Sequence, residues 1–236
     1  MRDAPVTEDT LAAAIAHELR REILRGNLPP GAPIKERDNA ERQGVSRTPM
    51  REAIRILAKE GLVVLRPLRS PVVADPSLTE IIDQIQVLHA LELLSGELAC
   101  QRATEAEIAG IGALKDRIEA IYGEADTLDV FELDMQFHSA IVAAAHNAAL
   151  ADTHGAYMAR LWRARYLSAR RKLSRDRVLR QHRAIHAALA ARDVDAIKTE
   201  VAAHLGAMID NIRDHFREET GQDRMDRSSG PTEAAP

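Results

Sequence analysis

The chain has 236 residues, of which 45% are hydrophobic and 3% aromatic, and this composition predicts two helix-rich domains. A single cysteine excludes an internal disulfide, and no apolar run suits a signal peptide or a bilayer span, so we expect a cytoplasmic protein with no membrane partner. The formal net charge of -4 argues against binding to nucleic acid. Residues 34–72, however, carry nine basic and five acidic side chains and so form a local basic patch.

Three helices are predicted in the first 61 residues. Apolar residues recur at helical spacing over residues 10–25, and the glycines and prolines of residues 26–31 end that helix. A short second helix is expected over residues 36–43, ended by Gly44. A third begins after Ser46 or Thr48, has Pro49 in its first turn, and runs to Gly61.

A two-stranded wing and a long helical region follow. Residues 62–65 and 72–73 have strand character on either side of a turn over residues 66–71, which is rich in proline and arginine. The breaker at residues 75–77 marks a domain boundary. The predicted fold is mainly α: a winged helix-turn-helix of three helices plus a two-stranded wing over residues 1–75, an all-α six-helix bundle over 76–218, and a disordered tail over 219–236.

The start of the third helix carries the chemistry expected of a DNA-reading element. Arg47 and Arg51 lie four residues apart, hence on one face, and are flanked by the hydroxyls of Ser46 and Thr48. Free backbone amides at a helix start bind phosphate, and arginine can form two parallel hydrogen bonds with a guanine edge. An isolated Ser-Arg-Thr-Pro is more often a solvated helix start, but the preceding helix and turn and the following wing favour major-groove entry.

A second polar set lies in the helical region. Asp134 and His138 are four residues apart on one predicted helix, and His182 and His204 follow on later helices. One carboxylate and several imidazoles that converge in a bundle core suit a divalent cation. A surface Asp-His pair is the alternative, and His186 could replace His182 if the helical phase differed.

Arginines are dense between residues 160 and 180, and most should lie on a solvated face. One of Arg163 or Arg165 could turn inward and anchor an effector carboxylate through a bidentate contact. The chain has no glycine-rich phosphate loop or nucleophile elbow, so we expect that it is not an enzyme.

Residues 10–73 closely resemble the winged-helix domain of the GntR family of bacterial regulators. The resemblance rests on the Gly26–Gly31 connection, on the Gly-Val-Ser-Arg-Thr-Pro-x-Arg-Glu-Ala run that starts at Gly44, and on Glu60-Gly61-Leu62-Val63. Asn39 replaces a usual apolar residue, and Ser70 stands at or near a usual glycine. The resemblance implies DNA contacts by residues of the second helix, third helix and wing: Arg37, Ser46, Arg47, Thr48, Arg51, Arg69 and Ser70.

Residues 78–216 resemble the ligand-binding domain, called FCD, of the FadR-type subfamily of GntR regulators. The matching pieces are Asp134-x-x-x-His138, the run from Gln181 to Leu189, and Ala203-His204-Leu205. The resemblance implies a divalent metal, zinc or nickel, that helps to bind a small carboxylate effector. Its ligands would be Asp134, His138, His182 and His204.

Together these observations predict a homodimeric transcriptional regulator, a repressor or alternatively an activator, on a roughly palindromic double-stranded DNA operator. A small organic acid bound near the metal would alter how the first helix of the bundle presents the linker at residues 75–77. The alternatives are a metal-dependent enzyme with a DNA-binding appendage, and an architectural DNA-binding protein without a small ligand.

Overall fold

The computed structural model describes residues 8–170 and 175–228. The elements in chain order are α1 (Glu8–Arg25), α2 (Glu36–Arg42), α3 (Arg47–Lys59), β1 (Val63–Arg66), β2 (Arg69–Val73), α4 (Leu78–Arg102), α5 (Glu105–Ile121), α6 (Thr127–Ala144), α7 (Ala148–Arg160), α8 (Trp162–Ala169), α9 (Arg175–Ala190) and α10 (Val194–Ser228). None of the helices in these two ranges combines the length and the apolarity needed to cross a membrane.

The amino-terminal domain packs three helices and a two-stranded sheet around one core. Helix α3 places Met50, Ile54 and Leu57 on its buried side against α1, because these residues recur at helical spacing. The strands are antiparallel, with Val63 opposite Val73. These observations confirm the predicted winged helix-turn-helix.

The wing turn is shorter than the six residues expected from the sequence. Arg66 pairs with Arg69 across the strands, which leaves Pro67 and Leu68 alone in the turn. The Arg66 guanidinium donates two hydrogen bonds, of 2.9 and 2.7 Å, to the carbonyl oxygen of Ser70 and so holds the two strands together. Several residues that the sequence assigned to the turn therefore lie in the strands. Hydrogen bonds between the strands and from the Arg66 side chain satisfy their backbone polar groups.

Gly61 follows the end of α3 and touches the other domain. Its φ of +79° lies in the left-handed region, and a Cβ there would lie 2.7 Å from Cγ of Arg160. We expect Gly61→Ala to lower the free energy of unfolding by about 1–2 kcal/mol through backbone strain alone, with the displaced Arg160 adding to it. Urea unfolding of the full chain measures the change.

Gly110→Ala is the matched control for Gly61→Ala. Gly110 lies within α5, and a Cβ added there meets no atom within 4 Å in the described parts of the chain. Alanine is the better helix former, so this variant should gain up to about 1 kcal/mol. Equal stabilities for the two variants would contradict the strain assigned to Gly61.

The carboxyl-terminal domain is a helical bundle in which α4 and α10 pack along each other, with α5, α6, α7 and α9 around them. Thr104 and Glu107 form a capping box at the start of α5, in which the Glu107 carboxylate accepts a hydrogen bond of 2.8 Å from the backbone N–H of Thr104. Ser77 and Glu80 form a second capping box at the start of α4.

The described part of this bundle has seven helices rather than the predicted six. The extra helix arises because the helix that would continue from α7 is interrupted at Leu161, which is fully buried, and the chain then enters α8. No glycine or proline marks the break, so packing of Leu161 and Trp162 imposes it.

Helix α10 extends into the region that the sequence predicts to be a disordered tail. Helix α10 continues to Ser228, ten residues beyond the predicted limit, while residues 229–236 lie outside the described residues. The segment has no proline before Pro231 and contains several residues that favour helix, so the preceding helix can extend through it.

The two domains meet in a small apolar cluster. Leu24 of α1 packs with Phe131 and Met135 of α6 and with Tyr166 of α8. Beside it, Arg21 of α1 forms ion pairs with two carboxylates of α6, at 2.9 Å to Glu132 and 2.8 Å to Asp129.

Trp162 of α8 extends this interface toward the end of α3. Its ring lies edge-on to Phe131 with centroids 5.5 Å apart, and the Arg20 guanidinium carbon lies 5.3 Å from the Trp162 centroid. Arg20 also forms a bidentate ion pair with Glu60, the C-cap residue of α3, with contacts as short as 2.6 Å. A continuous set of contacts therefore joins α6 and α8 to the end of α3.

Candidate functional site

The start of α3 presents a polar, exposed surface. Ser46, Arg47 and Thr48 are all exposed there. Ser46 is the N-cap in extended conformation, and its hydroxyl makes no capping bond to any residue that the structure describes. Hydroxyls and free backbone amides at this helix end are therefore available to an anion.

Arg51 lies one helical turn beyond Arg47 and is also exposed. Its Nη2 lies 3.2 Å from Oε2 of Glu36 at the start of α2. An ion pair between half-exposed side chains contributes at most about 1 kcal/mol, so a phosphate or base edge can replace Glu36 at low cost. Arg55, which the sequence analysis did not select, continues the same face and pairs with Glu52 at 2.6 Å.

The remaining predicted DNA-contact residues flank α3. Arg37 on α2 is 74% exposed beside Asp38, and Arg69 is exposed in β2. The residue with left-handed backbone at the wing tip is the fully exposed Leu68, with a φ of 57°, rather than Ser70. Ser70 lies within β2, so the wing does not require glycine at that position.

Asn39, the polar residue at a usually apolar position, is buried with its hydrogen bonds made. Its Nδ2 donates to the carbonyl of Lys35 at 2.9 Å, and its Oδ1 accepts from Nη2 of Arg42 at 3.0 Å. A buried amide with both ends paired costs little. Helix α2 therefore keeps its place against α3 despite this substitution.

Three imidazoles from three helices meet inside the bundle. They belong to His138 of α6, His182 of α9 and His204 of α10, and their ring centroids are 5.0 to 5.6 Å apart. One nitrogen from each ring lies within 4.8 Å of one nitrogen from each of the other two. This set, which we call the histidine cluster, converges as metal ligands do.

Asp134 lies one turn before His138 and borders the histidine cluster. Its Oδ1 is 2.9 Å from Nε2 of His182 and 3.8 Å from Nε2 of His138. All three atoms are buried, and none of them makes a hydrogen bond within the described residues. Two ligands of one metal with bonds of about 2.0–2.1 Å lie roughly 2.9–3.4 Å apart. The Asp134–His182 separation of 2.9 Å is within this range, and the Asp134–His138 separation of 3.8 Å is somewhat longer, so the unpaired atoms lie near the spacing of ligands to one cation.

The protonation states suit a cation. Burial lowers the pKa of His138 to about 4, against the opposing influence of Glu92, and burial also puts the pKa of His204 well below 6.5. Burial raises the pKa of Asp134, but the neighbouring His182 and His138 lower it by more. At neutral pH, His138 and His204 therefore keep free nitrogen lone pairs beside an ionised carboxylate.

Glu92 of α4 is a buried acid that the sequence analysis did not select. Its Oε1 accepts a hydrogen bond of 3.0 Å from Nη1 of Arg165, and its Oε2 lies 3.6 Å from Nδ1 of His138. Its other neighbour is His154, with Nε2 3.5 Å away. Burial raises the pKa of Glu92, but the interactions with His138 and with the Arg165 guanidinium lower it by more, so Glu92 is ionised. It is placed to orient the His138 ring from outside the cluster.

Two further histidines lie near this site or were weighed for it. His154 is buried beside Glu92, and its Nε2 has no hydrogen-bond partner within the described chain. His186, the alternative to His182, places its Nε2 3.2 Å from the carbonyl of Ile108 and lies outside the histidine cluster.

A cavity of about 520 Å³ opens beside the histidine cluster, within the size range of small-molecule sites. Its polar lining residues include Thr127, Asp134, Arg165, Ser168, Arg170, Arg177, Gln181, His204 and Asn211. Of the two arginines predicted to anchor an effector, Arg165 lines the cavity but is paired with Glu92. Arg163 is half-buried and is not among the lining residues.

Comparison with known proteins agrees with this arrangement. Residues 11–73 match the family described as bacterial regulatory proteins, gntR family, and residues 83–207 match the FCD domain. The transcriptional repressor RspR of Escherichia coli is 32% identical over 83% of this chain and 86% of its own length. The Nta operon transcriptional regulator of Aminobacter aminovorans is 32% identical over 80% of this chain and 88% of its own.

Solved structures share the fold. Escherichia coli McbR/YncC has a TM-score of 0.75 at 20% identity, covering 87% of this chain and 98% of that one. A GntR regulator of Rhodococcus sp. RHA1 has a TM-score of 0.68 at 23% identity, covering 85% and 96%. The matched families and these relatives are transcriptional regulators and not enzymes. The chain belongs to the GntR family of bacterial regulatory proteins and carries an FCD domain after its winged helix-turn-helix.

Proposed function

We propose that this GntR-family regulator is a metal-containing repressor of the FadR type whose affinity for its operator is controlled by a small organic acid. The observation that carries the proposal is the histidine cluster, which borders a cavity in the domain that packs against the DNA-binding domain. Acting on chromosomal DNA, such a repressor would work in the cytoplasm.

The residues present fit a divalent metal, zinc or nickel. Asp134, His138, His182 and His204 would hold it, because they supply one carboxylate and three imidazoles, and the first three have buried atoms without a hydrogen-bond partner among the described residues. When bound, the metal would supply a Lewis-acid position for an effector oxygen. Glu92 would fix the orientation of the His138 ring through its Nδ1 side.

The proposed DNA contacts divide by chemistry. Arg47 and Arg51 would reach base edges in the major groove, while Ser46 and Thr48 would bind phosphates at the start of α3. Arg37 and the wing residues Arg69 and Ser70 would add flanking contacts from α2 and β2. Among the described contacts Arg37 and Arg51 each pair with an acid, whereas Arg47 and Arg69 do not.

A stripe on α4 supports a homodimer. Val87 and Leu94 lie seven residues apart on one face and are 40% and 42% exposed, with Ala90 and Leu91 between them. In a dimer with a two-fold axis, this stripe of one copy packs against the same stripe of the other copy. The same axis would place the two winged helices on the two halves of a roughly palindromic operator.

Leu94→Glu tests the homodimer. We expect this variant to elute as a monomer, since the two-fold axis would bring the new charges together in an apolar contact. Light scattering coupled to size exclusion gives the mass. Leu65→Glu, which changes a 53% exposed leucine on the wing, should remain dimeric. A dimeric Leu94→Glu variant would show that the α4 stripe is not the interface.

Two routes would connect the cavity to DNA binding. Helix α4 begins directly after the linker at residues 75–77, where we place the domain boundary, and it carries Glu92 to the histidine cluster. Phe131 lines the cavity and contacts Trp162, which lies under Arg20. An effector that favours one arrangement of these contacts would change the position of α3.

The experiment for the function as a whole is a thermal-shift screen of organic acids on the full-length protein, with and without zinc. A regulator of this kind should show stabilisation by at least one acid, because a ligand of the native state raises the melting temperature. An absence of shifts across the panel would favour an architectural DNA-binding protein.

A further inference from the structure

The cationic groups that line the cavity are not equivalent. Arg165 donates to Glu92 at 3.0 Å, and both side chains are buried, so its charge is already matched by a carboxylate inside the bundle. Arg170 is exposed, and its guanidinium carbon lies 5.8 Å from the Tyr166 ring. An effector anion would have to compete with Glu92 for Arg165.

Arg177, in the first turn of α9, differs from both. It lines the cavity, and its Nε is buried without a hydrogen-bond partner among the residues that the structure describes. A buried donor on a charged group without an acceptor is unfavourable, and such groups in native proteins are usually satisfied by water or a ligand. A carboxylate in the cavity would satisfy the Arg177 guanidinium with two parallel bonds.

The position of Arg177 on α9 relates it to the histidine cluster. Gln181 lies one turn later on the same face, lines the cavity, and has its Oε1 3.2 Å from Nδ1 of His204. His182 follows Arg177 by five residues, or about 7 Å along the helix axis. The lining of the cavity also includes apolar side chains, among them Val130 and Met208.

We propose that Arg177 is the residue that binds the effector carboxylate, and that the effector is an organic anion with a second oxygen-bearing group at the other end of a short apolar chain. This inference rests on the proposed function and adds to it the polarity and length of the ligand. One end lies at Arg177, the other faces the histidine cluster, and the apolar side chains of the lining contact the middle.

Isothermal titration of the full-length protein with a series of acids tests the assignment. The probes are butyrate, succinate, glutarate and adipate, each applied to zinc-loaded and to metal-free protein. A dicarboxylate should bind more tightly than butyrate. Arg177→Gln should weaken dicarboxylate binding by about 10- to 100-fold, the usual effect of losing a charge-assisted pair, and Arg177→Lys by less.

Arg180→Gln is the matched control, because Arg180 lies on the same helix, is exposed, and donates to the backbone carbonyl of Asp176. Its dicarboxylate affinity should equal that of the unmodified chain. Without ligand, Arg177→Gln should melt at or above the temperature of the unmodified chain, since it loses an unsatisfied buried donor. This melting curve also shows that the variant folds.

Each result decides a separate point. Unchanged dicarboxylate affinity in Arg177→Gln would overturn the role of Arg177 and leave the proposed function intact. Butyrate affinity equal to that of every dicarboxylate would overturn the two-ended effector. Failure of the unmodified chain to bind any of the four acids, with or without zinc, would overturn this inference together with an acid-controlled repressor.

Discussion

Replacing Arg47 with alanine is expected to weaken binding to the specific operator by about 10- to 100-fold and to remove the preference for the base pair that Arg47 contacts. A bidentate arginine–guanine contact is worth about 1–3 kcal/mol, which corresponds to this range. Arg47 is exposed at the start of α3, so the fold should be unaffected. Fluorescence anisotropy with a labelled operator duplex and with mutated duplexes measures both effects.

Arg117→Ala is the control for the loss of positive charge. Arg117 is exposed on α5 in the FCD domain, far in sequence from the winged helix. If the Arg47 effect were only non-specific attraction to phosphate, its salt dependence would change without a change in sequence preference. Unchanged affinity and preference in Arg47→Ala would remove Arg47 from the reading surface.

The second large effect concerns the histidine cluster. The double variant His138→Ala with His204→Ala should lose stoichiometric metal, whereas the unmodified chain should hold about one ion, because two of four proposed donors are gone. Zinc should also raise the melting temperature of the unmodified chain and leave that of the double variant unchanged. Elemental analysis after gel filtration gives the metal content.

His146→Asn is the matched control for this pair. His146 is an exposed histidine with a φ of 49°, paired with Glu107 at 3.1 Å, and asparagine tolerates this backbone conformation. The His146→Asn variant should retain the full metal content and the full zinc-dependent rise in melting temperature. A full metal complement in the double variant would show that the ligand set is wrong.

The sequence predicts the DNA-binding half well because its signals are local. Apolar spacing defines α1 and α3, and Gly44 and Gly61 mark where helices end. The Asp134 and His138 pair is visible at helical spacing, whereas the choice of His182 and His204 needed the family resemblance as support, because their convergence depends on the packing of three helices.

Other parts of the site could not be predicted so directly. Glu92 had a detectable signal, since it continues the buried spacing of Ile85 and Leu88 on α4, where an acid needs a partner. The interruption of the helix at Leu161 had no detectable signal in the sequence. Because it changes the helical phase, Arg165 faces the cavity while Arg163 does not. Arg177 emerges only from the assembled cavity.

The central claim is that a ligand in the FCD cavity controls the affinity of the winged helix for DNA. The direct test is the dissociation constant of the zinc-loaded protein for an operator selected from genomic fragments. It is measured by fluorescence anisotropy with and without a saturating concentration of an acid found in the thermal-shift screen. The account predicts a change of about 5- to 150-fold, the usual range of allosteric coupling. An identical dissociation constant with the acid bound would contradict it.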